Sequence, residues 1–262
     1  MELKLRRVDL NKGSADKILR IYPTLQCNMQ CSYCSNGSGG GSLPSAKPEL
    51  WVKGLVRLQS GQFSGVHITG GEPLMYPGLA DLINAIPSAI GVIVYTNLTI
   101  PPDTLLRKLK REVGIRGSLH SPGGLDVYRT HVDMILKSNM VDYFVLIVVD
   151  GSPSRVAYLR HFNRISGTKL VISENQWVTS AKHKTCGVPR RVICKNRIYL
   201  YGPDGARYPC VTYMRRGWRT PDPVFWETDW QFVQREVRTE CNEYGCCCAC
   251  DGIIDSSIEF ME

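Results

Sequence analysis

Six short runs of apolar and β-branched residues, separated by longer amphipathic stretches, restrict the folds open to this chain more than any other feature. They are Ile18–Leu25, Gly65–Thr69, Gly91–Thr96, Gly114–Leu119, Asp142–Val149 and Lys169–Ile172. Strands joined by helix-length segments pair by returning in the same direction, so the pattern predicts a parallel sheet covered by helices. The expected fold class is α/β: a partial (βα)6 parallel barrel over residues 1–178, then a small C-terminal β-hairpin and Cys-rich extension over residues 179–262. One connecting helix starts at Pro101-Pro102-Asp103, where Leu105, Leu106, Leu109 and Val113 form an apolar stripe beside Arg107, Lys108, Lys110 and Arg111, read as a solvated basic face. A Gly/Ser run from Ser35 to Ser45 reads as a mobile loop.

Polar residues follow each expected strand: Cys27, then Gly70-Gly71-Glu72-Pro73, Thr96-Asn97, Ser118 and His120, Asp150 and Ser152, and Ser173 and Glu174. In a parallel βα barrel such positions gather at one mouth, where active sites are built.

The eleven cysteines are concentrated in two regions, Cys27 to Cys34 and Cys186 to Cys250. The N-terminus lacks the apolar core of a secretory signal, so metal ligation is the expected use of these thiols rather than disulfides. Cys27, Cys31 and Cys34 lie within one short loop and suit three corners of a cubane iron–sulfur cluster, leaving the fourth iron open to a ligand. A zinc site is the alternative, although zinc usually takes four ligands and no fourth Cys or His is nearby in sequence.

The CxxxCxxC loop with Tyr33 before its last cysteine resembles the signature of radical S-adenosylmethionine (SAM) enzymes, and Gly70-Gly71-Glu72-Pro73 matches that family's GGEP segment. The resemblance implies a [4Fe–4S] cluster on Cys27, Cys31 and Cys34, with SAM chelating the open iron. It further implies that Gly70, Gly71, Glu72 and Pro73 meet the methionine amino group and that Thr96 and Asn97 line the cofactor pocket. Ser118 would reach the ribose and His120 would orient cofactor or substrate, although a structural role for that histidine stays open. One electron from the cluster would then cleave SAM to a 5′-deoxyadenosyl radical that abstracts a hydrogen atom, with a reductant such as flavodoxin or ferredoxin as partner.

After Ser173 the rhythm changes. Pro203-Asp204-Gly205 between aromatic runs predicts a β-hairpin that brings Cys194 and Cys210 together at its open end. With Cys247 and Cys250 of the tail, the region resembles the SPASM/twitch extension of the same superfamily, which implies an auxiliary [4Fe–4S] cluster. Zinc is again the alternative, and Cys186 is a spare ligand or a small buried hydrophobe.

Ten lysines and arginines lie between Lys182 and Arg219 against one acid, Asp204, while the whole chain carries +8. Basic residues interleaved with Tyr208, Tyr213 and Trp218 suit phosphates and stacked bases. The expected substrate is therefore, narrowly, a nucleobase in DNA, RNA or a nucleotide. The alternatives are a peptide or protein side chain modified by the same chemistry, which the extension's likeness favours, and a non-catalytic zinc-stapled nucleic-acid-binding module. No apolar run is long enough to cross a bilayer, and a cytoplasmic location is expected.

Overall fold

The computed structural model describes residues 18–31, 34, 43–120, 125–148, 171–174, 190–196, 199–231, 237–244 and 257–260. Strands β1 (Ile18–Thr24), β2 (Gly65–Gly70), β3 (Gly91–Thr96), β4 (Val113–Leu119), β5 (Val141–Val148) and β6 (Val171–Glu174) lie side by side in chain order, every neighbouring pair parallel. This is the α/β arrangement the sequence predicts, with strand limits shifted by one or two residues; Ser173 and Glu174 fall inside β6 rather than after it.

Helices α1 (Pro48–Leu55), α2 (Leu79–Ala85), α3 (Asp103–Lys108) and α4 (Leu125–Leu136) fill the connections. Side chains along a strand point alternately to its two faces. Leu19 and Ile21 of β1, Val66 and Ile68 of β2, Val92 and Val94 of β3, and Val113 and Ile115 of β4 form one buried cluster with Trp51, Leu55, Leu82, Ile83 and Leu105 of the helices. Between them in sequence, Arg20, His67, Tyr95 and Arg116 turn to the opposite, inner face. The basic stretch after α3 is only partly solvated. Arg107 pairs with Asp103 at the surface, but Arg111 is half-buried and donates to the carbonyls of Ile86, Pro87 and Ile90.

The C-terminal part departs from expectation. A separate three-stranded antiparallel sheet has β7 (Arg190–Asn196) at its centre, flanked by β10 (Val237–Tyr244) and β11 (Ser257–Phe260). The hairpin is there, formed by β8 (Tyr199–Tyr201) and β9 (Arg207–Tyr208) around a turn in which Gly205 takes φ 71° and Asp204 accepts from Ala206 N–H and the Tyr208 hydroxyl. Yet β8 pairs in parallel with β1, Leu19 opposite Tyr199 and Ile21 opposite Tyr201, so the hairpin extends the main sheet. The cause is burial: Tyr199 and Tyr201 are nearly inaccessible, stacked against Phe63, Phe225 and Trp230, and Trp230 donates to the Tyr201 hydroxyl at 2.9 Å. Cys194 sits on β7, opposite Thr239 of β10 and Ile258 of β11, and Cys210 directly precedes α5 (Val211–Arg215).

Candidate active site

The cysteine loop leaves the end of β1 and is fastened to the end of β2 by main-chain bonds. Gly71 N–H donates to Thr24 O at 3.0 Å and Glu72 N–H to Gln26 O at 2.8 Å. This contact explains the paired glycines. A Cβ on Gly70, whose φ is +134°, would lie 2.2 Å from Thr24 O, and one on Gly71 would lie 2.0 Å from Gln26 O. Only residues without side chains let the two backbones approach this closely.

Glu72 is fully buried. Its Oε1 accepts from Leu74 N–H at 2.9 Å, opening the short 3-10 turn Pro73–Met75, and its Oε2 accepts from Asn97 N–H at 2.7 Å. Burial pushes its pKa up, and the Asn97, Leu74 and Thr96 donors pull it back. Glu72 therefore ties the glycine motif to the end of β3, a holding role that the sequence does not reveal.

Asn97 is the hub of the next layer. Its Oδ1 accepts from Thr99 N–H at 3.0 Å and from the Thr99 hydroxyl at 2.6 Å, while its Nδ2 donates to Asn28 Oδ1 at 2.9 Å and reaches Cys27 Sγ at 3.7 Å. Asn28 closes the ring by donating to the Thr99 hydroxyl at 2.7 Å. The turn turns back at Leu98, whose φ of 57° is unusual for a branched residue. It is held there by Thr96 Oγ1, which accepts from Leu98 N–H, and by buried His131 of α4 against Leu98 O. Leu98 in turn fills the space above Gly117. Asn28, Thr99 and His131 were not singled out from sequence; a polar residue inside the cysteine motif was the one available signal.

The three loop cysteines are half-buried. Cys27 Sγ accepts from Met29 N–H at 3.4 Å, Cys34 N–H donates to Cys31 O at 3.1 Å, and Cys31 Sγ lies 3.6 Å from His120 Nδ1. Burial raises the Cys27 thiol's pKa, with the Met29 N–H acting against it. Burial lowers His120 to about 4, so it is neutral at pH 7. Tyr22, Leu25, Leu200, Tyr208, Val211 and Met214 form an apolar cluster at the foot of the loop. The donor set fits an iron–sulfur group: three thiols in one loop, at least two of them approached by hydrogen-bonding groups that would stabilise thiolate charge.

The structure thus brings Cys27, Cys31 and Cys34 together with Gly70, Gly71, Glu72, Pro73, Thr96, Asn97 and His120. Ser118, near the end of β4, directly follows Gly117, the residue opposite Thr96. Tyr33, Cys186, Cys247, Cys250, Asp150, Ser152 and most of the Gly/Ser run lie outside the described residues. In the second cysteine region, the Tyr213 hydroxyl donates to Glu240 O, and the phenol's pKa is raised by burial and then by the nearby thiols of Cys241 and Cys210. Cys241 of β10 and Cys210 thus both lie near the Tyr213 hydroxyl. Among the described residues, no three His, Cys, Asp or Glu side chains are grouped to hold one metal ion.

Residues 21–172 match the family described as the Radical SAM superfamily. The chain belongs to it. As a member it uses a [4Fe–4S] cluster and S-adenosylmethionine, and the zinc reading of the first cysteine triplet gives way. Among curated proteins, the GTP 3',8-cyclase of Pelotomaculum thermopropionicum is 31% identical over 104 residues, covering 37% of this chain and 31% of that protein. The sporulation killing factor maturation protein SkfB of Bacillus subtilis is 29% identical over 92 residues, covering 34% of this chain and 21% of that protein. The chain thus matches about a third or less of the length of these relatives. The structure of native anSMEcpe with bound AdoMet and Cp18Cys peptide superposes with a TM-score of 0.54 at 16% identity, covering 81% of this chain and 80% of that one, which establishes the shared radical SAM fold. Among the described residues, no helix is long and apolar enough to cross a membrane.

Proposed function

We propose that this chain is a radical SAM enzyme that modifies a peptide or protein side chain. The observation that carries the substrate class is the likeness to SkfB, a protein named for maturation of a killing factor. The basic segment that favoured a nucleobase is partly committed within the fold. Arg207 is buried, pairs with Asp222 at 3.4 Å and lies over the Tyr199 ring. Arg191 pairs with Glu240, and Arg216 lies over Trp218. At least three of these charges thus have protein partners among the described residues, which weakens the phosphate-binding reading and moves the peptide ahead. The likeness to a GTP 3',8-cyclase keeps a nucleotide as the second reading.

In this reading Cys27, Cys31 and Cys34 hold the cluster. Gly70, Gly71, Glu72, Pro73, Thr96 and Asn97 shape the place of the methionine group, Ser118 faces the ribose, and Tyr33 and His120 flank the site. When bound, the two cofactors supply one-electron chemistry that removes a hydrogen atom from an unactivated C–H bond. The chain's own work is positional. The Gly71 and Glu72 amides fix the cysteine loop, Asn97 and Asn28 hold it from the side, and the apolar cluster around Leu25 keeps water from beneath it. Cys194 and Cys210, with Cys247 and Cys250, are proposed to hold an auxiliary [4Fe–4S] cluster, and a flavodoxin or ferredoxin to supply electrons.

The test is 5′-deoxyadenosine release by anaerobically reconstituted protein with dithionite and SAM, against the Cys27→Ala/Cys31→Ala/Cys34→Ala variant. Release by the wild type alone is expected, and equal release by both would refute the assignment of the loop. A change of mass in a peptide pool, with GTP left intact, then supports the peptide; consumption of GTP transfers the assignment to the nucleotide.

A further inference from the structure

A cavity of about 410 Å³ opens on the inner face of the sheet at the N-terminal ends of β2 to β5, within the size range of small-ligand pockets. Along β2 about 16 Å separates Gly65, which lines it, from Gly70 of the glycine turn, so the cavity lies away from the cysteine loop. Gly65 and Gly91 stand opposite one another and share the inward parity of His67 and Ile93. A Cβ on Gly65 would meet only Gly91 O at 3.5 Å, and one on Gly91 only Ser64 O at 3.7 Å. Packing therefore does not require glycine at either position, and what the missing side chains leave is room. The lining changes with depth: His67, Ile93 and Gly114 are buried, Asp142 and Tyr143 are half-buried, and Glu112 is exposed at the rim.

At the buried end stands a donor. The Tyr95 hydroxyl is 3.1 Å from His67 Nδ1 and accepts from Arg116 Nη1 at 3.0 Å. A phenol that accepts from Arg116 has its one proton to give to His67 Nδ1, so His67 keeps its own on Nε2. His67 is only 8% exposed, and its Nε2 has no hydrogen-bond partner among the described residues. Burial, then Arg20 and Arg116, lower His67 to about 3, which makes it a neutral donor at physiological pH. Towards the mouth the groups are acceptors. Burial pushes the Asp142 carboxyl up, its own main-chain N–H pulls it back, and the Glu112 carboxylate pushes it up again. Neither acid forms an ion pair among the described residues. Arg111, which also lines the cavity, spends its Nη1 and Nη2 donors on the carbonyls of Ile86, Pro87 and Ile90. Like charges on a half-buried wall are costly and are relieved by a cation. Among the described residues no His, Cys, Asp or Glu side chains are grouped to hold a metal ion, so Asp142, Glu112 and His67 do not make a metal site. The Ile93 side chain and the Tyr143 ring suit instead an organic cation with an apolar body. We propose that this cavity binds a small organic ammonium compound, its cation held by Asp142 and Glu112 and a neutral oxygen accepting from His67 Nε2–H. The inference does not depend on the peptide reading above.

The experiment is anaerobic ligand-observed NMR titration of the cluster-loaded, SAM-saturated protein with straight-chain amino alcohols from 3-aminopropanol to 6-aminohexanol. Each is compared with the alcohol lacking the amine, the alkylamine lacking the hydroxyl, and magnesium chloride. One amino alcohol is expected to saturate a single site at least about tenfold more tightly than its alcohol, because the charged contact is the stronger, and about fivefold more tightly than its alkylamine. Asp142→Asn is expected to remove about tenfold of that affinity. Gly91→Leu fills the cavity without touching either acid and is expected to abolish binding, while Tm and 5′-deoxyadenosine release stay at the wild-type level and report an intact fold. The proposal is overturned if no amino alcohol outbinds both its alcohol and its alkylamine, if magnesium alone displaces the bound amino alcohol, or if Gly91→Leu binds as the wild type does. Because 5′-deoxyadenosine release is measured separately, failure of this site is distinguishable from failure of the radical reading.

Discussion

Replacing Gly71 by alanine puts a methyl carbon 2.0 Å from Gln26 O and 2.5 Å from both Gln26 C and Leu25 O. All three are backbone atoms of the segment entering the cysteine loop, so no flexible side chain can swing away. Relief requires the two chains to part, which breaks the Gly71 to Thr24 and Glu72 to Gln26 bonds. Two buried main-chain bonds contribute about 1 kcal/mol each, and forced overpacking adds about 1–3 kcal/mol. A total loss of about 3–5 kcal/mol corresponds to a fall in Tm of about 10 °C for a chain of this size. Because the displaced segment carries Cys27, iron content per chain after anaerobic reconstitution should fall together with Tm. Gly65→Ala is the control: its Cβ meets only Gly91 O, at 3.5 Å, an ordinary contact, and less than about 1 kcal/mol is expected. A Gly71→Ala protein with the Tm and iron content of the wild type would refute the account of the glycine pair as a backbone-approach device.

Asn97→Ala removes the bonds to Thr99, Asn28 and Cys27 Sγ, and cluster retention, measured as iron loss to a chelator, should weaken by on the order of tenfold with little change in far-UV dichroism. His67 has a folded pKa of about 3 against 6.5 for the free side chain, so its neutral form contributes stability that is full above pH 6.5 and is lost as pH falls toward 3. Urea midpoints of the cluster-free protein should therefore drop through that window, by about 1.4 kcal/mol per pH unit from this group, and His67→Gln should flatten the slope. An unchanged slope in the variant would mean that His67 is not buried as a neutral donor.

Much of the site was legible because its parts are local. Cys27, Cys31 and Cys34 occupy one loop and Gly70 to Pro73 one turn, and each follows an apolar run whose two-residue period marks a strand. What the parts do to one another was not legible. The Glu72 carboxylate spans from its own turn to Asn97, and Asn28 meets Thr99 across 71 residues, contacts set by parallel strands ending at the same level. The basic stretch after α3 read as solvated, but Arg111 caps three carbonyls of the preceding connection, because helical spacing reports which residues share a face and not what approaches it.

The sequence alone determined the parallel order of the first six strands, the cysteine loop and the glycine turn, because strand period and motif spacing are properties of neighbouring residues. Tertiary structure decided the rest. It placed β8 against β1, where Tyr199 and Tyr201 find Phe63 and Trp230, and set Cys194 on β7 between β10 and β11. It also turned Arg20 and Arg116 toward the same inner face, from strands nearly a hundred residues apart in the chain. Such pairings depend on which buried surfaces fit one another, and no local pattern encodes that fit.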